Sequence, residues 1–109
     1  MQRPEVEDMR AFMKSRGLTQ TSFCEDQLTG FVRKRGNEES ILLEVTVDFR
    51  RMKVSATTVR EPNERKGRNA FGEVDYREAD WRTLDEASAL IQRFCRVLNV
   101  RHETQETPP

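Results

Sequence analysis

Between Ile41 and Phe49 the apolar side chains fall at every second position. Leu43, Val45, Val47 and Phe49 alternate with Glu44, Thr46 and Asp48. Successive side chains of a strand point to opposite faces, so this period of two demands a sheet with one buried and one wet face. Met52 to Val59 continues with β-branched residues. Val54, Ala56 and Thr58 share one side, and Lys53, Ser55 and Thr57 share the other. The two segments predict a hairpin, and a sheet that buries one face needs other elements to cover it.

Two helices are available as covers. Over Pro4 to Arg16, Val6, Met9, Phe12 and Met13 fall on one helical face. Pro4 suits a first turn, Glu5, Glu7 and Asp8 complement the positive N-terminal end, and Gly17 can end the helix. Thr83 to Leu98 predicts the second helix, opened by a Thr83–Glu86 capping box. Its stripe of Leu84, Ala87, Ile91, Phe94 and Leu98 is widened by Leu90, Cys95 and Val97. So broad a stripe predicts contact with the sheet and with a second helix or another subunit.

The remaining segments are weaker. Gln27 to Arg35 predicts a strand turning at Gly36-Asn37, because Thr29 and Gly30 disfavour a helix interior. Leu18 to Asp26 reads either as a loop or, through Ser22 and Glu25, as a helix start. Glu61 to Asn69, with Pro62, Asn63, Gly67 and Asn69, predicts a connecting loop. Ala70 to Tyr76 predicts a short last strand with Val74 and Tyr76 on one side. From Arg101 the chain is polar and ends in Pro108-Pro109, which predicts an unstructured tail over 101–109. The fold class expected is α+β: one domain over 1–100, an antiparallel three- to four-stranded meander packed by an N-terminal and a C-terminal helix.

Chemistry is sparse. The only histidine, His102, lies in the expected tail. Cys24 and Cys95 lack the close-spaced partners of a zinc site and have no histidine base in an ordered element. They predict reduced thiols, with Cys95 a small core residue. The glycines form no phosphate-cradling loop. Glu73, Asp75, Glu78 and Asp80 cluster without calcium-loop spacing and read as solvated, or as complementing the last helix. We expect no catalytic residue, no metal and no cofactor. No apolar run is long enough for a membrane span, and early acids argue against a targeting segment. The expected location is a reducing compartment, cytoplasm or mitochondrial matrix.

Lysine plus arginine equals aspartate plus glutamate at 19 each, which argues against a strongly basic or acidic binder. The distribution is uneven. From Arg33 to Arg68 there are ten basic and six acidic residues, net +4; from Asn69 onward there are five and eight, net −3. Arg50, Arg51 and Lys53 at one turn, with Arg65, Lys66 and Arg68 in the long loop, could contact phosphates. The simpler reading is solubility and edge protection, because no exposed aromatic ladder accompanies them.

Leu43-Glu44-Val45-Thr46-Val47, Phe71 to Tyr76 and Asp80-Trp81-Arg82-Thr83-Leu84-Asp85-Glu86, continued by Leu90, Phe94 and Leu98, resemble the mitochondrial acidic matrix protein (mitochondrial glycoprotein) family. That family is longer, strongly acidic and closes with a further helix. The resemblance implies a multi-partner binding scaffold without enzymatic activity. Val45-Thr46-Val47 through Val59-Arg60-Glu61, then Trp81 and Leu84, with Lys66-Gly67-Arg68 as a loose glycine-lysine match, are similar to the transcriptional coactivators that bind single-stranded DNA.

Together these features lead us to expect a non-enzymatic protein-binding scaffold or adaptor, self-associating through its helices, with Trp81, Leu90, Phe94 and Val97 at the partner surface. The alternative is a single-stranded nucleic-acid-binding domain using Arg50, Arg51, Lys53, Arg65, Lys66 and Arg68. The partner is expected to be protein, a second copy included, with nucleic acid second and no membrane.

Overall fold

The alternating segment forms β3 (Glu39–Asp48), the centre of an antiparallel sheet. A computed structural model describes residues 3–63 and 72–106, with side chains through Leu98. The element order is α1 (Pro4–Ser15), β1 (Gln20–Cys24), β2 (Gln27–Arg35), β3, β4 (Lys53–Pro62), β5 (Glu73–Asp80) and α2 (Leu84–Glu106). The strands lie in chain order as a five-stranded meander, one or two more than the sequence predicts. The start proposed for the last strand, at Ala70, lies outside the described residues.

The period of two sets the layers. Leu28 on β2, Ile41, Leu43, Val45 and Val47 on β3, and Val54 and Ala56 on β4 are buried on one face. They join Val6, Met9 and Met13 of α1 and Ala87, Ile91, Cys95 and Leu98 of α2 in one core. Both helices therefore cover the same face. Each fully buried aliphatic side chain contributes about 1.5–3 kcal/mol of burial free energy. The stripe of α2 is wide because α1 packs beside it, where Ser88 Oγ meets Met9 Sδ at 3.8 Å. Among the described residues no helix lies on the opposite sheet face.

The strand β1 was hidden by its turn. Glu25 and Asp26 both take positive φ, 51° and 62°, as a type I′ hairpin turn requires. Asn-Gly or Asp-Gly would have signalled this turn; Glu-Asp does not. Tertiary contacts hold it instead, since Arg3 Nη1 donates to Asp26 Oδ1 at 2.6 Å and Phe49 N–H donates to the Asp26 carbonyl at 2.9 Å.

Gly17 ends α1 at φ +99°. Its N–H donates to the Lys14 carbonyl and that of Leu18 to the Met13 carbonyl, a Schellman closure with Leu18 buried. At the other helix, the Thr83 hydroxyl accepts from Glu86 N–H at 3.2 Å, the cap read from the sequence. The helix then runs on to Glu106, past the tail predicted from Arg101. Between 99 and 106 no proline or glycine interrupts it, and Arg101, Glu103, Gln105 and Glu106 are ordinary helix formers.

The β3–β4 turn is held by one carboxylate. Asp48 Oδ1 accepts the backbone N–H of Arg50 and of Arg51, both at 2.9 Å. These bonds, Arg51's first, hold the Asp48 carboxyl below its ordinary pKa. A lowered folded-state pKa gives stability that is complete above the ordinary carboxylate range and lost as pH falls through the lowered value. Asp48→Ala should therefore cost about 1 kcal/mol at neutral pH. Denaturant titrations across pH check this: the gap between variant and wild type should narrow below about pH 4.

Candidate functional site

On the core side of the sheet, β4 and β5 are paired in the register Arg60↔Glu73, Thr58↔Asp75 and Ala56↔Arg77. Period two therefore places Glu73, Asp75 and Arg77 of β5 on the face toward the helices. But α2 lies chiefly over β3 and β4, so β5 projects beyond its cover. Between them opens a groove of about 700 Å³. Ala56, Thr58 and Arg60 of β4 and Val74 of β5 contribute to its sheet side, with Arg93, Phe94, Arg96 and Val97 of α2 opposite.

The α2 wall follows from helical spacing. Ala87, Ile91, Cys95 and Leu98 are consumed by the core. Leu90, Phe94 and Val97 form the neighbouring stripe, half-buried and packed at the core's margin. Phe94 and Val97 line the groove, beside Arg93 and Arg96, which lie three residues apart on the helix.

The groove's charges are unevenly satisfied. Four arginines line it, Arg60, Arg77, Arg93 and Arg96, against two carboxylates, Glu73 and Asp75. Arg77 Nε pairs with Asp75 at 3.0 Å. The other three arginines have no carboxylate partner among the described residues. On the far face of β5, Lys53 Nζ takes Asp80 at 2.8 Å and Glu78 at 3.6 Å, and its pKa rises chiefly through the Asp80 hydrogen bond. The acidic cluster seen in sequence is thus distributed over both faces of one strand.

Of the expected partner residues, Trp81 is not at a surface. It is only 6% exposed, and its ring meets Phe49 edge-on at 5.9 Å. Phe49 in turn meets Phe23, and the Arg3 guanidinium lies over both of these phenyl rings. The indole closes this end of the core, and the backbone N–H of Trp81 donates to the Met52 carbonyl at 3.0 Å, which pins the end of β5 to the β3–β4 turn.

Of the basic residues chosen for nucleic acid, only Arg50, Arg51 and Lys53 are among the described residues. Arg50 and Arg51 precede β4, Lys53 is engaged by carboxylates, and the loop begins after Asn63. Ten residues of β4 separate the two ends, roughly 30 Å at strand rise. Arg65, Lys66 and Arg68 themselves lie outside the described residues. The arginines that do converge, Arg60, Arg77, Arg93 and Arg96, were missed. The Arg93–Arg96 spacing beside Phe94 and Val97 was readable on the helix alone, but its meeting with Arg60 needed the sheet register.

Cys95 is buried, and desolvation pushes its thiol up to about 11, so it stays protonated at neutral pH. Cys24 is an exposed free thiol. The side chain of His102 lies outside the described residues. Among the described residues no cluster of His, Cys, Asp or Glu could hold a metal ion, and no helix is long and apolar enough to cross a membrane. Comparison with protein-family models, with curated proteins and with solved structures finds no match.

Proposed function

We propose that this chain is a non-enzymatic protein-binding module whose partner occupies the groove between β5 and α2. The observation that carries the reading is an open groove lined by Phe94, Val97 and three arginines that have no carboxylate partner among the described residues, alongside a strand at the free edge of the sheet. Apolar contacts supply binding free energy there, and fixed charges supply selectivity. An edge strand adds unpaired backbone N–H and C=O groups, the usual template for an incoming extended segment.

Self-association through the helices has a narrower base than the sequence suggested. The broad stripe of α2 is divided between the sheet, α1 and the groove wall. Pairing two copies through β5 is disfavoured by charge, because this strand carries Glu73, Asp75, Glu78 and Asp80 against a single Arg77. Each copy would set its surplus of carboxylates against the other's.

The test is selection of displayed random decapeptides on the immobilised protein. Enriched peptides should bind wild type and weaken at least about tenfold, or 1.4 kcal/mol, on Val97→Asp. They should not respond to Arg50→Ser. Failure to enrich, or indifference to Val97→Asp, contradicts the reading.

A further inference from the structure

We propose that the sheet face turned away from the helices is a self-association surface, on which a second copy of this chain stacks about a two-fold axis crossing β3 between Leu42 and Glu44. The groove lies on the other side of the sheet, so the two contacts are independent.

Strand register locates the surface. On the face away from the helices, Arg33, Leu42, Val59 and Val74 lie side by side across β2 to β5. The adjoining row is Phe31, Glu44, Thr57 and Tyr76. These two rows hold three exposed large hydrophobic side chains, Phe31 at 37%, Tyr76 at 60% and Val74 at 70%. Leu42 and Val59, partly buried, join them into one patch. The Tyr76 hydroxyl donates to Glu78 Oε2 at 3.0 Å, which lays the ring along its own strand.

An antiparallel sheet commonly leaves one face to water, and the rows nearer the β3–β4 turn fit that rule. They carry Ser22, Thr29, Thr46 and Ser55, and beyond these Lys53 is already engaged by Glu78 and Asp80. The two rows at the other end depart from it. A sheet with apolar rows on its outer face buries them by stacking on another sheet.

Charge fixes the axis. Arg33 and Glu44 are exposed, and neither has an ion-pair partner among the described residues. A two-fold axis midway between the two rows lays each row on the other row of the second copy. Val74 then meets the second copy's Tyr76, and Val59 its Thr57. Arg33 lies on the second copy's Phe31 ring, beside its Glu44. Arginine stacks well on an aromatic face and pairs with a planar carboxylate, and symmetry makes each contact twice. An axis running along β3 would instead set Glu44 against Glu44, which disfavours it.

Area sets the strength. Four overlapping rows at about 6.8 Å and five strands at about 4.8 Å span about 600 Å² per copy. The pair covers about 1,200 Å², the lower edge of specific interfaces, so the dimer should dissociate in the micromolar range. Both grooves face outward from it, and the dimer presents two copies of that site.

Sedimentation velocity of the full chain from about 5 to about 500 μM tests this. Wild type should pass from monomer to dimer across the range. Val74→Lys should weaken dimerisation at least about tenfold. At 70% exposure that side chain can change without loss of folding. Val97→Asp, on the helix side, should leave the dimer unchanged. Arg33→Glu and Glu44→Arg should each weaken it alone, because like charges then face each other in both contacts. An equimolar mixture of these two variants should recover the dimer, since every contact regains opposite charges.

Wild type that stays monomeric at about 500 μM overturns the proposal. So does a dimer indifferent to Val74→Lys, or one dissolved by Val97→Asp, which would place the contact on the helices. A mixture that fails to recover the dimer overturns the pairing of Arg33 with Glu44, and with it the axis.

Discussion

Trp81→Ala should lower the stability of the domain by about 3–5 kcal/mol, the range for removing a buried tryptophan. For a domain of this size that is a drop in melting temperature of at least about 12 °C. The effect is large because several contacts end together. The indole closes the aromatic group of Phe23 and Phe49 at the end of the sheet where β5 hands over to α2. Alanine would leave a cavity that the five-stranded sheet, held by its strand pairing and by the two helices on one face, cannot collapse into. Thermal melts of Trp81→Ala and Val97→Asp separate the roles of two residues that the sequence placed on one surface. Trp81→Ala should unfold early. Val97→Asp should melt closer to wild type and lose peptide binding instead. Melts with the order reversed would show that Val97 is the core residue.

Gly30→Val should cost about 2–3 kcal/mol, although valine is a better strand former than glycine. A Cβ at Gly30 would lie 2.8 Å from Met13 Sδ and 3.2 Å from Leu18 Cβ. The Met13 thioether can swing away, but the Leu18 Cβ is fixed by the turn that closes α1. Glycine is therefore the space in β2 through which α1 reaches the sheet. Urea unfolding of Gly30→Val, Met13→Leu and the double variant checks this. The shorter side chain of Met13→Leu should recover part of the loss, giving a favourable coupling between the two positions. A stabilised Gly30→Val would mean that α1 is not packed there.

The contrast between Gly30 and the alternating strands shows how legible this chain was. Period two in β3 and β4, the Thr83 cap and the α1 stripe were readable because each is a local pattern with one physical solution. In sequence Gly30 read only as a residue unsuited to a helix, since its function depends on Met13 and Leu18 meeting it in three dimensions. The strand β1 escaped for a related reason. Its Glu25-Asp26 turn is stabilised by Arg3 and Phe49, both distant in sequence. Trp81 was misplaced because a tryptophan at a helix entrance looks alike whether it faces solvent or the Phe49 ring. The groove was half visible. Phe94 and Val97 were readable on the helix that lines it, but Arg60 and Arg77 opposite them required the pairing of β4 with β5.

The site at β5 and α2 is tested most directly by NMR titration of the uniformly nitrogen-15-labelled protein with a decapeptide enriched by selection on the immobilised protein. Amide shifts should move along β5, residues 73–80, and along 93–97 of α2. The Phe49–Met52 turn should stay still. Shifts confined to the Phe49–Met52 turn, or a titration that leaves β5 and α2 unmoved at saturating peptide, would contradict the assignment of this groove.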